Sequence, residues 1–225
     1  MLAERRIAEE QMDDPSLDPA TYRDVLRDLA KVNTVTLARR PTLRFLGKAV
    51  GSRKSFRLLD VGFGDGDMLR AIARWADKRG IAADLVGIDL NPRSRAVAEE
   101  HGGQIDYRTG DYADLADEPW DCVVSSLVAH HMTRQQCVNF VHFMETHSAA
   151  GWFVNDLHRH TLAYLGYPVL ARLAGWHEIV REDGHTSIAR SYRPSEWHAL
   201  LDEAGVSEAK VERHFPFRLC VSRIW

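Results

Sequence analysis

Leu58-Leu59-Asp60-Val61-Gly62-Phe63-Gly64-Asp65-Gly66-Asp67 is the stretch from which the fold of this chain is read. An apolar run beginning at Phe56 ends on an acid, and glycine then recurs at every second position. Met68, Leu69, Ile72 and Ala76 follow at helical spacing. A short buried strand, a tight turn and an amphipathic helix account for this order. Such a junction sits at the carboxyl end of a strand in an open α/β sheet, where ligands bind.

The same alternation continues outward from this stretch. Asp84 to Asp89, Gly103 to Tyr107, Trp120 to Ser126 and Trp152 to Asp156 read as strands. Helices are expected at 92–101 and 133–148 between them. Two further strand-like runs, 208–214 and 217–224, are joined at Pro216 and suggest an antiparallel hairpin. A helix over 194–204, closed by Gly205, precedes them. The expected class is α/β, with a doubly wound, seven-stranded, mostly parallel sheet and an antiparallel C-terminal strand. Residues 1–50 read as an N-terminal helical cap, with one charged helix at 2–12 and another opening at Asp18-Pro19. Residues 51–225 form the main domain. A helical insert or lid at 158–192 carries the apolar stretch 160–176 with Tyr164, Tyr167 and Trp176.

The chain has 225 residues, enough for one domain with a full core. Its net charge of −3 argues against a nucleic-acid partner. Cys122, Cys137 and Cys220 have no paired spacing, so neither a zinc ribbon nor a disulfide framework is expected. No apolar run is long enough to span a bilayer, and Met1 to Arg6 leads into acids rather than an apolar segment. These features lead to the expectation of a cytoplasmic protein, monomeric or homodimeric.

A glycine-rich turn of this kind has two principal uses. A dinucleotide fingerprint places a pyrophosphate on the helix N-terminus, but Asp67 stands where its third glycine belongs. Asp60, Asp65 and Asp67 would repel a pyrophosphate and suit a cationic nucleoside. With Asp60-x-Gly62-x-Gly64-x-Gly66 closing the first strand, residues 56–224 resemble the class I S-adenosylmethionine (SAM)-dependent methyltransferases, whose fold is Rossmann-like. The resemblance implies a SAM site, with S-adenosylhomocysteine (SAH) as product. Its residues would be Asp60, Gly62, Phe63, Gly64, Gly66, Asp89, Leu90, Asp111, Tyr112, Ser126 and Leu127. Asp89 would grip the ribose hydroxyls, and Asp111 would accept from the adenine amino group with Tyr112 near the ring.

Methyl transfer from a sulfonium needs alignment and, for a hydroxyl acceptor, removal of a proton. Two candidate groups follow strands four and five: His130-His131, and Asn155-Asp156-Leu157-His158-Arg159-His160. By resemblance to sugar and natural-product O-methyltransferases, His130 is the expected base and Asp156 its orienting partner. His158 is the next candidate, and His131 the residue most suited to a cap or a polar gap. A metal held by Asp156, His158 and His160 is the rival use, and no metal is expected. Asn155-Asp156-Leu157 and Ser187 to Glu196 resemble bacterial methyltransferases of polyketide and quinone-type pathways, although Arg193-Pro194 stands where those carry Thr-Pro. The implied acceptor is a small aromatic or polyketide-like molecule methylated on a hydroxyl, with a carbon acceptor as the runner-up. Asn33, Thr36, Arg39 and Arg40 are candidates to line the crevice. Arg190, Arg193 and His185 are candidates to meet an acidic substrate group. A nicotinamide-dependent oxidoreductase and a SAM-binding protein without transferase activity are the competing readings.

Overall fold

The computed structural model describes residues 2–225. Its centre is one sheet of seven strands: β1 Ser55–Val61, β2 Ala82–Asp89, β3 Asp106–Thr109, β4 Trp120–Ser126, β5 Ser148–Leu157, β6 Lys210–His214 and β7 Arg218–Ile224. The spatial order is β3-β2-β1-β4-β5-β7-β6. The neighbouring pairs from β3 to β5 are parallel, and β7 runs antiparallel to both β5 and β6. The order in which strands are added thus reverses at β1, with β2 and β3 on one side and β4 and β5 on the other. That switch point opens a crevice at the strand ends. The expected class, a doubly wound α/β sheet with one antiparallel C-terminal strand, is the one observed.

Alternation along the strands builds two cores. In β4, Trp120 and Val123 face one layer while Cys122 and Val124 face the other. The first layer is closed by α5 (Arg134–His147) and α8 (Pro194–Glu203) around Phe140, Trp152 and Trp197. The second is closed by α2 (Arg39–Ala49) and α3 (Asp67–Asp77) around Leu46, Leu69 and Phe153. Each such side chain, buried fully, contributes about 1.5–3 kcal/mol. The ends of the helices are set locally. Thr133 and Gln136 form a reciprocal capping box at the start of α5. Asp18 accepts from Thr21 N–H at the start of α1 (Pro19–Val35), and Asn91 from Arg93 N–H at the start of α4 (Pro92–Glu99).

Two expectations need correction. Residues 2–10 have no regular secondary structure, rather than a helix, and lead only into a short 3-10 turn at Gln11–Asp13. An isolated helix of that length is marginal, and long-range hydrogen bonds displace it. Arg5 donates to Arg190 O (2.6 Å), Tyr192 Oη (2.6 Å) and His130 O (3.0 Å), and Arg6 N–H to Ala189 O (3.1 Å). The third strand starts at Asp106 rather than Gly103. Gly102 and Gly103 both take positive φ in a turn that no strand can continue through. The insert holds two helices, α6 (Thr161–Leu173) and α7 (Glu178–Arg190), packed on each other.

Candidate active site

A cleft of about 760 Å³ opens at the carboxyl ends of β1, β2, β4 and β5. One end is made by the turn after β1. Gly62, Gly64 and Gly66 all take positive φ, which lets the chain fold back and present N–H groups to the crevice. At Gly62 a Cβ would meet Val128 Cγ2 at 2.3 Å, and at Gly66 it would meet Tyr107 Oη at 2.4 Å. Asp89, at the end of β2, accepts from Gly64 N–H and Asn91 N–H, both at 2.9 Å. These bonds fix the carboxylate and leave it further acceptor capacity.

The three acids of the turn differ in their pairing. Asp65 is paired with Arg70 (2.9 Å), and Asp67 with Arg39 (2.6 Å). Asp60 alone has no cation, and its buried Oδ1 has no hydrogen-bond partner. Burial, together with the charges of Asp67 and Asp89, pushes the Asp60 carboxyl up to about 8. The expected repulsion of a pyrophosphate by three free carboxylates therefore reduces to one buried acid that lacks a positive partner. That orphaned oxygen suits a cationic ligand.

At the other end of the cleft, His130 follows β4 on a single 3-10 turn and is 2% exposed. Its Nδ1 lies 2.7 Å from Asp156 Oδ1, and its backbone N–H donates to Asp156 Oδ2 (2.8 Å). Asp156 also accepts from Leu157 N–H. With this carboxylate ionised, Nδ1 carries the proton and Nε2 is left without a hydrogen-bond partner. The nearest acid to that nitrogen is Glu10, at 3.6 Å. Burial would lower the His130 pKa, but the charge and hydrogen bond of Asp156, then Glu10, raise it to about 9. Glu10 is buried as well, which opposes its ionisation. His130, His131 and a hydrogen bond from Ser187 Oγ (2.8 Å) nevertheless hold it at about 2.

Residues 58–151 match the family model described as Methyltransferase domain. That stretch, less than half of the chain, resembles a methyltransferase domain. The ubiquinone biosynthesis O-methyltransferase of Azorhizobium caulinodans is 36% identical over 85 residues, covering 35% of this chain and 31% of the relative. The trans-aconitate 2-methyltransferase of Mycobacterium tuberculosis is 27% identical over 158 residues, covering 69% of this chain and 58% of the relative. The chain thus spans under two thirds of each of these relatives. Among solved structures, the plantazolicin methyltransferase BpumL, crystallised with SAH and a desmethyl analogue, superposes with a TM-score of 0.64 at 15% identity. That match covers 88% of this chain and 74% of the other. Human N-acetylserotonin methyltransferase with SAM gives 0.61 at 15% identity, covering 92% and 56%.

Of the expected site residues, Asp60, Gly62, Phe63, Gly64, Asp89, Leu90, Asp111, Tyr112, Ser126 and Leu127 all border the cleft, as do His130, His131 and His158. Gly66 and Asp156 stand behind that lining. Gly66 permits the left-handed cap of α3, and Asp156 backs His130. The Phe63 ring turns into the core against Tyr107, so its backbone is what can serve a ligand. Asp111 accepts from Ala113 N–H, and Tyr112 packs on Phe140 and Phe143. Burial and the positive charges of Arg213, His160, Arg193 and Arg159 push His158 down to about 4. Among the described residues, the atoms of metal-ligating type that converge belong to Glu10, His130 and His131, within 4.8 Å of one another, rather than to Asp156, His158 and His160. Sequence reasoning missed Glu10, because it falls in a stretch that reads as a charged helix, and Arg218, because it opens β7 without any motif.

Proposed function

We propose that this chain transfers the methyl group of SAM to a hydroxyl of a small aromatic or polyketide-like acceptor, with His130 as general base oriented by Asp156. The observation that carries this reading is the buried His130–Asp156 pair: His130 borders the same cleft as Asp60 and Asp89, and its Nε2 has no hydrogen-bond partner. Asp89 would hold the ribose hydroxyls, Asp111 the adenine amino group, and Asp60 would lie toward the positive end of the cofactor. When bound, SAM supplies an electrophilic methyl on a sulfonium and leaves as the neutral thioether.

His130 then has one task, which is to accept the hydroxyl proton at Nε2 as the oxygen bonds to the methyl carbon. Asp156 keeps Nδ1 protonated and stabilises the imidazolium that forms. The imidazolium already favoured by Glu10 cannot act as base. Proton removal therefore requires the neutral ring, reached by raising the pH or by relieving the Glu10 contact. His158 is poorly suited to this role, since its depressed pKa makes it a weak proton acceptor. Residues 1–50 and 158–192 are read as the cap and lid of the acceptor pocket. Leu162, Gly166, Tyr167 and Leu170 on α6 border the cleft at helical spacing.

The test is transfer of labelled methyl from SAM to a panel of phenols, enols and hydroxylated aromatic acids. Product with a methyl ether, abolished by His130→Ala, supports the reading. Transfer to carbon, or a His130→Ala enzyme as fast as wild type, contradicts the hydroxyl–base assignment.

A further inference from the structure

Two arginines are among the largest fully buried side chains of this protein, and their surroundings are opposite. Arg159 pairs with Glu196 (2.7 Å) and also donates to Ser191 O (2.8 Å) and Leu2 O (3.2 Å). Arg218, at the first position of β7, is 2% exposed and has no ion pair among the described residues. Its one hydrogen bond is from Nη2 to Thr36 Oγ1 (3.1 Å), while Nε and Nη1 have no partner. A buried guanidinium that stays charged and unpaired is costly, and proteins retain such groups where a ligand completes them.

Arg218 borders the cleft, and it is the only arginine or lysine to do so among the described residues. The acids around the same cleft, Glu10, Asp60 and Asp89 among them, leave no other side chain of fixed positive charge to receive an anion. Asp156 and Asp67 lie near enough to favour the charge of Arg218, but neither pairs with it: Asp67 is paired with Arg39, and Asp156 with His130.

We propose that Arg218 is the carboxylate-binding residue of this cleft, waiting for a carboxylate that arrives with a bound small molecule. The proposal rests on the SAM-dependent reading above. That reading offers two sources: the methionyl carboxylate of the cofactor, or an acid group on the acceptor. Thr36, which already holds Nη2, keeps the guanidinium in place before the ligand arrives.

Calorimetry on folded Arg218→Met and Arg218→Lys proteins separates the sources. SAH is compared with 5′-methylthioadenosine, which has the nucleoside but no carboxylate. In the presence of SAH, 4-hydroxybenzoate is compared with 4-hydroxybenzamide. Arg218→Met is expected to lose about tenfold or more in affinity for a carboxylate-bearing probe and none for its uncharged counterpart, with Arg218→Lys intermediate. A loss confined to SAH assigns the methionyl carboxylate, and a loss confined to 4-hydroxybenzoate assigns the acceptor. The ligand-free Arg218→Met protein should melt no lower than wild type, because an unpaired buried charge has been removed. The proposal is overturned if Arg218→Met holds both carboxylate probes as tightly as wild type. Equal losses for charged and uncharged probes, with a lowered melting temperature, also overturn it and make Arg218 structural. Wild-type protein that binds neither SAH nor 5′-methylthioadenosine breaks the underlying reading instead.

Discussion

The two ends of the cleft are built in different ways. At the nucleoside end, Asp60, Gly62, Gly64 and Asp89 stand on strand ends and turns, and their geometry is set by neighbours a few residues away or across one strand pair. At the acceptor end, His130 meets Asp156 from the next strand and Glu10 from the far N-terminus, and Ser187 reaches Glu10 across 177 positions. The first end is a local motif and the second is a tertiary assembly. Electrostatics divides them too. Two of the three acids of the glycine turn are paired with arginines from α2 and α3 and Asp60 is left bare, whereas at the other end His130 lies between two carboxylates.

If the ends act separately, substitutions should separate binding from turnover. The largest effect is expected from His130→Ala: turnover falls about a hundredfold or more, while SAH affinity by calorimetry stays within a few-fold. A large loss of SAH binding in that variant would show the two ends to be one unit. Asp89→Ala should do the reverse and weaken SAH by roughly thirtyfold, from the loss of charged hydrogen bonds. The sedimentation and melting behaviour of that variant should remain close to wild type. SAH affinity unchanged by Asp89→Ala would remove the ribose assignment.

Glu10→Gln sharpens the comparison through pH. In the proposed mechanism the base is neutral His130, whose pKa in the folded protein is raised to about 9. The kcat/KM of wild type should therefore climb with pH up to about 9. Removing the Glu10 charge takes away part of what favours the proton, so the rising limb should move down by roughly one pH unit. SAH affinity at neutral pH should not change. A limb that stays in place would take Glu10 out of the control of the base. The smallest effect is expected at Gly184, where a Cβ would lie 2.3 Å from the Tyr167 ring. Gly184→Ala should cost about 1–2 kcal/mol in denaturant unfolding by overpacking the contact between α7 and α6 and leave SAH binding intact.

The same division explains what could be read from the sequence. The turn at 60–66, Asp89 and the order of the strands were legible because strand periodicity, glycine spacing and an acid at a strand end are all local signals. The sheet class followed from them. His130 and Asp156 were legible as a pair because each ends a successive strand, and adjacent parallel strands bring such ends together. Glu10 was not legible. Residues 2–12 look like a charged helix until Arg5 and Arg6 are seen hydrogen-bonded to residues 130, 189, 190 and 192. Arg218 was hidden for a related reason. Its significance lies in the partners it lacks, and a missing partner leaves no pattern along the chain. The acid count of the turn was also misjudged, since Arg39 and Arg70 lie outside the motif that their charges neutralise.

The claim on which the rest depends is that the cleft takes a cationic nucleoside rather than a dinucleotide. Titration of the wild-type protein with SAH and, separately, with NADH tests it most directly. Saturable binding of SAH with no measurable heat for NADH is the expected result. Micromolar binding of NADH, with none for SAH, would contradict it.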